Sequence, residues 1–74
     1  IMRKYVILNT SELNTVDFTK LKTTEPRYNL DRSEFIVSYE GEKPDFLQEK
    51  TTYTNSELLI IVNDISNNWY NEEN

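Results

Sequence analysis

Cysteine and histidine are both absent from this chain of 74 residues. Without cysteine there are no disulfides. Without histidine, zinc, copper and haem sites lose their commonest ligand. The two absences together exclude Ser-His and Cys-His nucleophile pairs and imidazole acid–base catalysis. Glycine occurs once and proline twice, so turns fall mostly to Asn, Asp and Ser. Basic residues are the minority, 8 against 13 acidic, for a net charge of −5. That balance argues against nucleic-acid binding, which needs a basic stripe, and against docking on anionic membranes. Long apolar runs are missing too. The longest is Leu58 to Val62, far below the length needed to cross a bilayer. Arg3 and Lys4 lead into only Tyr5 to Leu8 before polar residues resume, which does not match a signal peptide. The expectation is one small, soluble, acidic domain in the cytoplasm, with Met2 as the natural start.

A domain of this length buries only roughly 60% of the surface its unfolded chain exposes. Oligomerisation is the one common means of added stability that this composition leaves open. Five tyrosines, three phenylalanines and one tryptophan supply large side chains to such a core.

Arg3 to Leu8 is rich in β-branched and aromatic residues and predicts a strand. Ser11 is placed to cap one helical turn through Leu13. Val16 to Lys22 alternates apolar and polar, which predicts a short strand. Arg27 to Leu30, then Asp31-Arg32-Ser33, then Glu34 to Tyr39 predict a hairpin, with Asp31 opening the turn. In its second arm Phe35, Val37 and Tyr39 share one face and Ile36 and Ser38 the other, so the strand is expected to be covered in part on both sides. Glu40 to Asp45 reads as a loop with Gly41 free to take positive φ. Phe46 and Leu47 then return to the core.

Thr54-Asn55-Ser56-Glu57 is a capping box, and Tyr53 and Leu58 flank it as a hydrophobic staple. Leu58, Ile61, Val62, Ile65 and Trp69 follow at helical spacing, with Asn67 and Asn68 as terminators. The expected fold is α+β: a three- or four-stranded antiparallel sheet with one C-terminal helix packed on one face. It is expected to occupy residues 2–70, with 71–74 as a frayed acidic tail. The expected core is Tyr5, Ile7, Phe18, Leu30, Phe35, Val37, Phe46, Leu58, Ile61, Val62 and Ile65. Val6 and Leu8 replace Tyr5 and Ile7 if the first strand presents its other face.

The remaining motifs carry little chemistry. Glu40, Glu42 and Asp45 lack the alternating oxygen pattern of a calcium loop and read as solvated. Asn9-Thr10-Ser11 fits a glycosylation acceptor but has no secretory context. A net −5 spread among lysines and arginines is too diffuse for a DNA mimic.

The start Met2 to Ile7, the segment Tyr39 to Leu47 and the capped run Tyr53 to Leu59 resemble short accessory proteins of tailed bacteriophages. The resemblance implies an accessory role and supplies no functional residues.

The expected function is therefore a small, non-catalytic protein-binding accessory or modulator, with no catalytic, cofactor or metal residues and no small-molecule substrate. The alternative is a homo-oligomeric structural or assembly subunit. An enzyme would have to rest on carboxylates such as Asp17, Glu40 or Asp45. The expected interface is Leu59, Ile60, Trp69, Tyr70, Tyr28 and Tyr39. Ile60 is expected to point away from the sheet, with Leu59 at the boundary; aromatic residues are enriched at interface hot spots.

Overall fold

A computed structural model describes residues 2–72 of the chain. Three strands, β1 (Arg3–Asn9), β2 (Arg27–Tyr28) and β3 (Glu34–Glu40), form an antiparallel sheet in the order β1-β3-β2. One helix, α1 (Asn55–Asn63), follows. The chain is α+β, as expected.

β3 is the central strand, and five successive residues of it, Phe35 to Tyr39, are buried. Burial on both faces follows from the register. Val6 lies opposite Val37 and Leu8 opposite Phe35, while Ile7 lies opposite Ile36 and Tyr5 opposite Ser38. Side chains alternate across a strand, so each pair of strands feeds two cores. On one face Val6, Leu8, Phe35, Val37, Tyr39 and Leu47 cluster. On the other Ile36, Leu58, Val62 and Trp69 cluster, with Tyr5, Ile7, Tyr53 and Ile61 against them. Both alternatives for β1 are thus used: Val6 and Leu8 are fully enclosed, and Tyr5 and Ile7 are half-buried under the helix side.

The first face is roofed by short 3-10 turns rather than by a fourth strand. They span Thr10–Thr15, Phe18–Lys20 and Asp45–Leu47. The strand expected over Val16 to Lys22 is one of these turns. Asp17 explains the difference: its carboxylate accepts from the Thr19 backbone N–H at 3.1 Å and from the Thr19 hydroxyl at 2.5 Å. A side chain that bonds the backbone two residues on folds it into a turn and prevents an extended ladder. Leu47 delivers a fully buried side chain to this face, and Phe46 is half-buried beside it. Lys50 Nζ meets Glu12 Oε1 at 2.8 Å and ties the first and last turns together.

The hairpin forms as expected, with Arg27 opposite Ile36 and Tyr28 opposite Phe35. Tyr28 and Tyr39 therefore do not pair. The buried Asn29 closes the connection: its N–H donates to the Glu34 carbonyl at 3.1 Å, and its Oδ1 accepts from the Glu34 N–H at 3.1 Å. Arg32 takes φ 60°, an uncommon region for a residue other than glycine, and its guanidinium lies 3.9 Å from the Tyr28 ring centre. β2 is short, so the β3 edge beyond it is capped differently. The Ser38 N–H donates to Thr23 Oγ1 at 2.8 Å, and the Lys22 N–H donates to the Ser38 carbonyl at 2.8 Å. The free edge of β1 is met by Tyr53, whose N–H and carbonyl both pair with Tyr5, at 2.8 and 2.9 Å.

α1 begins where the capping box places it. Glu57 N–H donates to Thr54 Oγ1 at 3.2 Å, and Thr54 N–H donates to Glu57 Oε1 at 2.9 Å. It ends earlier than the apolar spacing predicts. Asp64 Oδ1 accepts from the Ser66 N–H at 2.9 Å and the Ser66 hydroxyl at 2.7 Å, which starts a turn. Ile65 is carried out of register and is 79% exposed. The turn then returns Trp69 to the sheet, where it is 3% exposed. Leu30, also expected in the core, is 57% exposed. It sits in the hairpin loop, with its N–H donating to the Asn68 carbonyl at 2.9 Å. Of the expected tail, Asn71 and Glu72 are exposed, while Glu73 and Asn74 lie outside the described residues.

Candidate functional site

Nine residues of α1 make two and a half turns, and their burial fixes how the helix is rolled. Leu58 and Val62 face the sheet and are buried. Ile60 lies half a turn away at the crest and is 72% exposed. Leu59 lies on one flank and is 47% exposed. A helix on a small domain ordinarily presents polar residues outward. Here the sole charge on the helix is Glu57, and that carboxylate is engaged in the cap.

A groove of about 310 Å³ runs beside this flank. Asn55, Leu58, Leu59 and Val62 form its helix wall, and Ile36, Ser38 and Tyr5 lie at its base. Arg3, Thr23, Glu25 and Arg27 stand round its rim. The sequence dictates this shape. α1 is anchored to β1 through the Tyr5–Tyr53 bridge, so it covers the β1 side of the face and leaves the β2 side recessed. Arg3 also lies 3.7 Å from Glu40, an exposed pair of small energetic weight.

The structure gathers only part of the expected interface. Leu59 and Ile60 stand together on the exposed side of α1. Trp69 and Tyr39 are buried and belong to the two cores, so neither offers contact surface. The Tyr39 hydroxyl is within 3.3 Å of Thr52 Oγ1. Tyr28 packs against Phe35, ring centres 5.9 Å apart, on the face opposite the helix. Tyr70 is half-buried in the last turn. Sequence reasoning missed the groove and its rim, Thr23, Glu25 and Arg27. Thr23 and Glu25 lie in the irregular segment before Pro26, where no periodicity marks them, and Arg27 opens β2 in the expected hairpin with nothing in the sequence to show that it borders a recess.

Asp17, Asp31, Asp64 and Glu40 are engaged in local contacts. The Thr19 hydroxyl, then the Thr19 N–H, hold Asp17 below its ordinary pKa. Ser33 does the same for Asp31, with a further bond from Asn68, and Ser66 for Asp64. Glu40 turns towards Arg3 and Lys22. Among the described residues no group of three or more carboxylates converges as a metal site. A second recess, of about 330 Å³, lies over Lys20, Glu42, Lys43, Pro44 and Asp45. It mixes both charge signs.

No known protein family, curated protein or solved structure matches the chain. Among the described residues no helix is long and apolar enough to cross a membrane.

Proposed function

We propose that the chain is a small, non-catalytic protein-binding module whose contact surface is the outer side of α1 with the groove beside it. The observation that carries this is the exposure of Ile60 and Leu59 next to that groove. Contiguous exposed apolar surface next to a recess is a mark of interaction sites. Two further facts support the non-catalytic part. The sequence holds no cysteine or histidine, and three aspartates are tied into local turns.

Ile60→Lys separates binding from folding. Lysine is at least as good a helix former as isoleucine, so the variant should unfold within a few degrees of the parent. Both proteins would be immobilised and exposed to cell extract. The resemblance to phage accessory proteins directs the first search to extract of a bacterial host. A stoichiometric protein retained by the parent and lost by the variant is the expected result. Identical retention by both overturns the reading.

A further inference from the structure

We propose that residues 64–70 form a lid that lifts off the sheet as a unit, with Trp69 as its plug, and that lifting it extends the groove beside α1 toward the hairpin. Position comes first. Ile36 and Ser38 lie at the base of the groove, with Leu58 and Val62 in its helix wall. Ile36, Leu58 and Val62 are also the buried residues that cluster with Trp69. Groove and indole therefore share one apolar floor. Along β3 that floor runs over alternate residues, from Ser38 through Ile36 toward Glu34. The lid is tied down at the Glu34 end. The Asn68 carbonyl accepts from the Leu30 N–H at 2.9 Å, and the Asn68 side chain bonds the Asp31 carboxylate. Leu30 and Asp31 lie in the hairpin loop just before Glu34. Trp69 thus closes the groove at its hairpin end.

Attachment comes second. α1 ends at Asn63, and Asp64 takes extended backbone with φ −75° and ψ 115°, which makes this junction the hinge. Within the lid the Asn67 N–H donates to the Asp64 carbonyl at 2.9 Å and the Tyr70 N–H to the Asn67 carbonyl at 3.1 Å. Ser66 closes on the Asp64 carboxylate. These bonds are internal to the lid and survive its lifting. The register of the sheet and the cap of α1 draw on none of residues 64–70. The lid also follows the last regular element, so no other segment has to unfold for it to move. Asp64, Ile65, Ser66 and Asn68 are exposed, and Trp69 is its buried anchor. One large anchor among exposed neighbours marks a segment that opens well before the whole fold does. The bearing of the lid on function rests on the binding reading above; its opening does not.

Native-state hydrogen exchange of the whole chain, read by NMR in increasing urea, tests the opening. The Leu30 N–H reports the lid through its bond to Asn68. The Asn29 N–H lies in the same loop but donates to the Glu34 carbonyl, so it reports the hairpin. Leu30 is expected to be at least about tenfold less protected than Asn29 and the best protected amides of β3. The gap should close as urea rises, because a small opening exposes little surface. Equal protection with equal urea dependence overturns the lid, since residues 64–70 then leave only with the whole fold. Leu30 and Asn29 exchanging together ahead of β3 also overturns it, since the loop has frayed instead. Free indole added to Trp69→Ala, shown to be folded by circular dichroism, tests the shared floor. Its amide shifts should reach Thr23 and Leu59 in the groove as well as Ile36 and Val62. Shifts confined to Ile36, Leu58 and Val62, or none, overturn the extension. Both experiments use the chain alone, so failure to capture a protein partner leaves them standing, and a partner captured by a chain without a lid leaves the binding reading standing.

Discussion

Three aspartates do the same work at three places. Asp17, Asp31 and Asp64 each stand two residues before Thr19, Ser33 and Ser66. Each accepts from that residue's hydroxyl, and Asp17 and Asp64 also from its N–H at 3.1 and 2.9 Å, as Asp31 does at 3.0 Å. The bonds favour the ionised carboxylate, so all three pKa values fall. A group whose folded pKa is depressed adds stability above its unfolded pKa and loses it as pH falls through the folded value. The thermal midpoint should therefore be level near neutrality and decline as pH drops below about 4. Asp31→Asn should flatten part of that decline. Thermal unfolding followed by circular dichroism between pH 7 and pH 2 checks it, and parallel profiles for the two proteins would refute it. The spacing was open to view in the sequence. Asp31 announces its turn because apolar arms flank it. Asp17 lies inside an alternation and Asp64 inside a helical period, where the stronger pattern hides the local bond.

At the scale of elements, the capping box was legible because it is a local contract: four consecutive residues, Thr54 to Glu57, contain both bonds. Thr54→Ala should cost about 1 kcal/mol, read from urea unfolding as a lower midpoint with an unchanged slope. The other end of α1 was not legible from Leu58, Ile61, Val62 and Ile65. Their spacing continues past the point where the Asp64 turn wins over helix propagation. Apolar periodicity shows which residues a helix would bury, not how far the helix runs. The strands were legible where pairing is dense, as in Arg3–Asn9 and Glu34–Glu40. β2 is two residues long, and the Thr23 clasp on Ser38 depends on a partner fifteen residues away. No local signal encodes such a contact, and the groove that it borders was invisible for the same reason.

Across the whole molecule, β3 is shared by two cores on opposite faces, and Trp69 closes the second. Trp69→Ala should cost about 3–5 kcal/mol, a large share of the roughly 4–10 kcal/mol available to a domain of this length. Ile65→Ser, four residues earlier and outside the core, should change stability by less than about 0.5 kcal/mol. Urea unfolding of both variants checks the contrast. Equal losses would mean that Ile65 is packed after all. The central position of β3 also has a consequence in time. Its partner β1 precedes it in the chain, yet α1 and Trp69, which cover one side of both strands, come after it. Non-local pairing closes a long loop before it gains any covering contact. A fragment ending at Glu40 should therefore show the circular dichroism of an unfolded chain. During synthesis one face of the β1–β3 pair therefore stays open to solvent until α1 and Trp69 have followed β3 out of the ribosome.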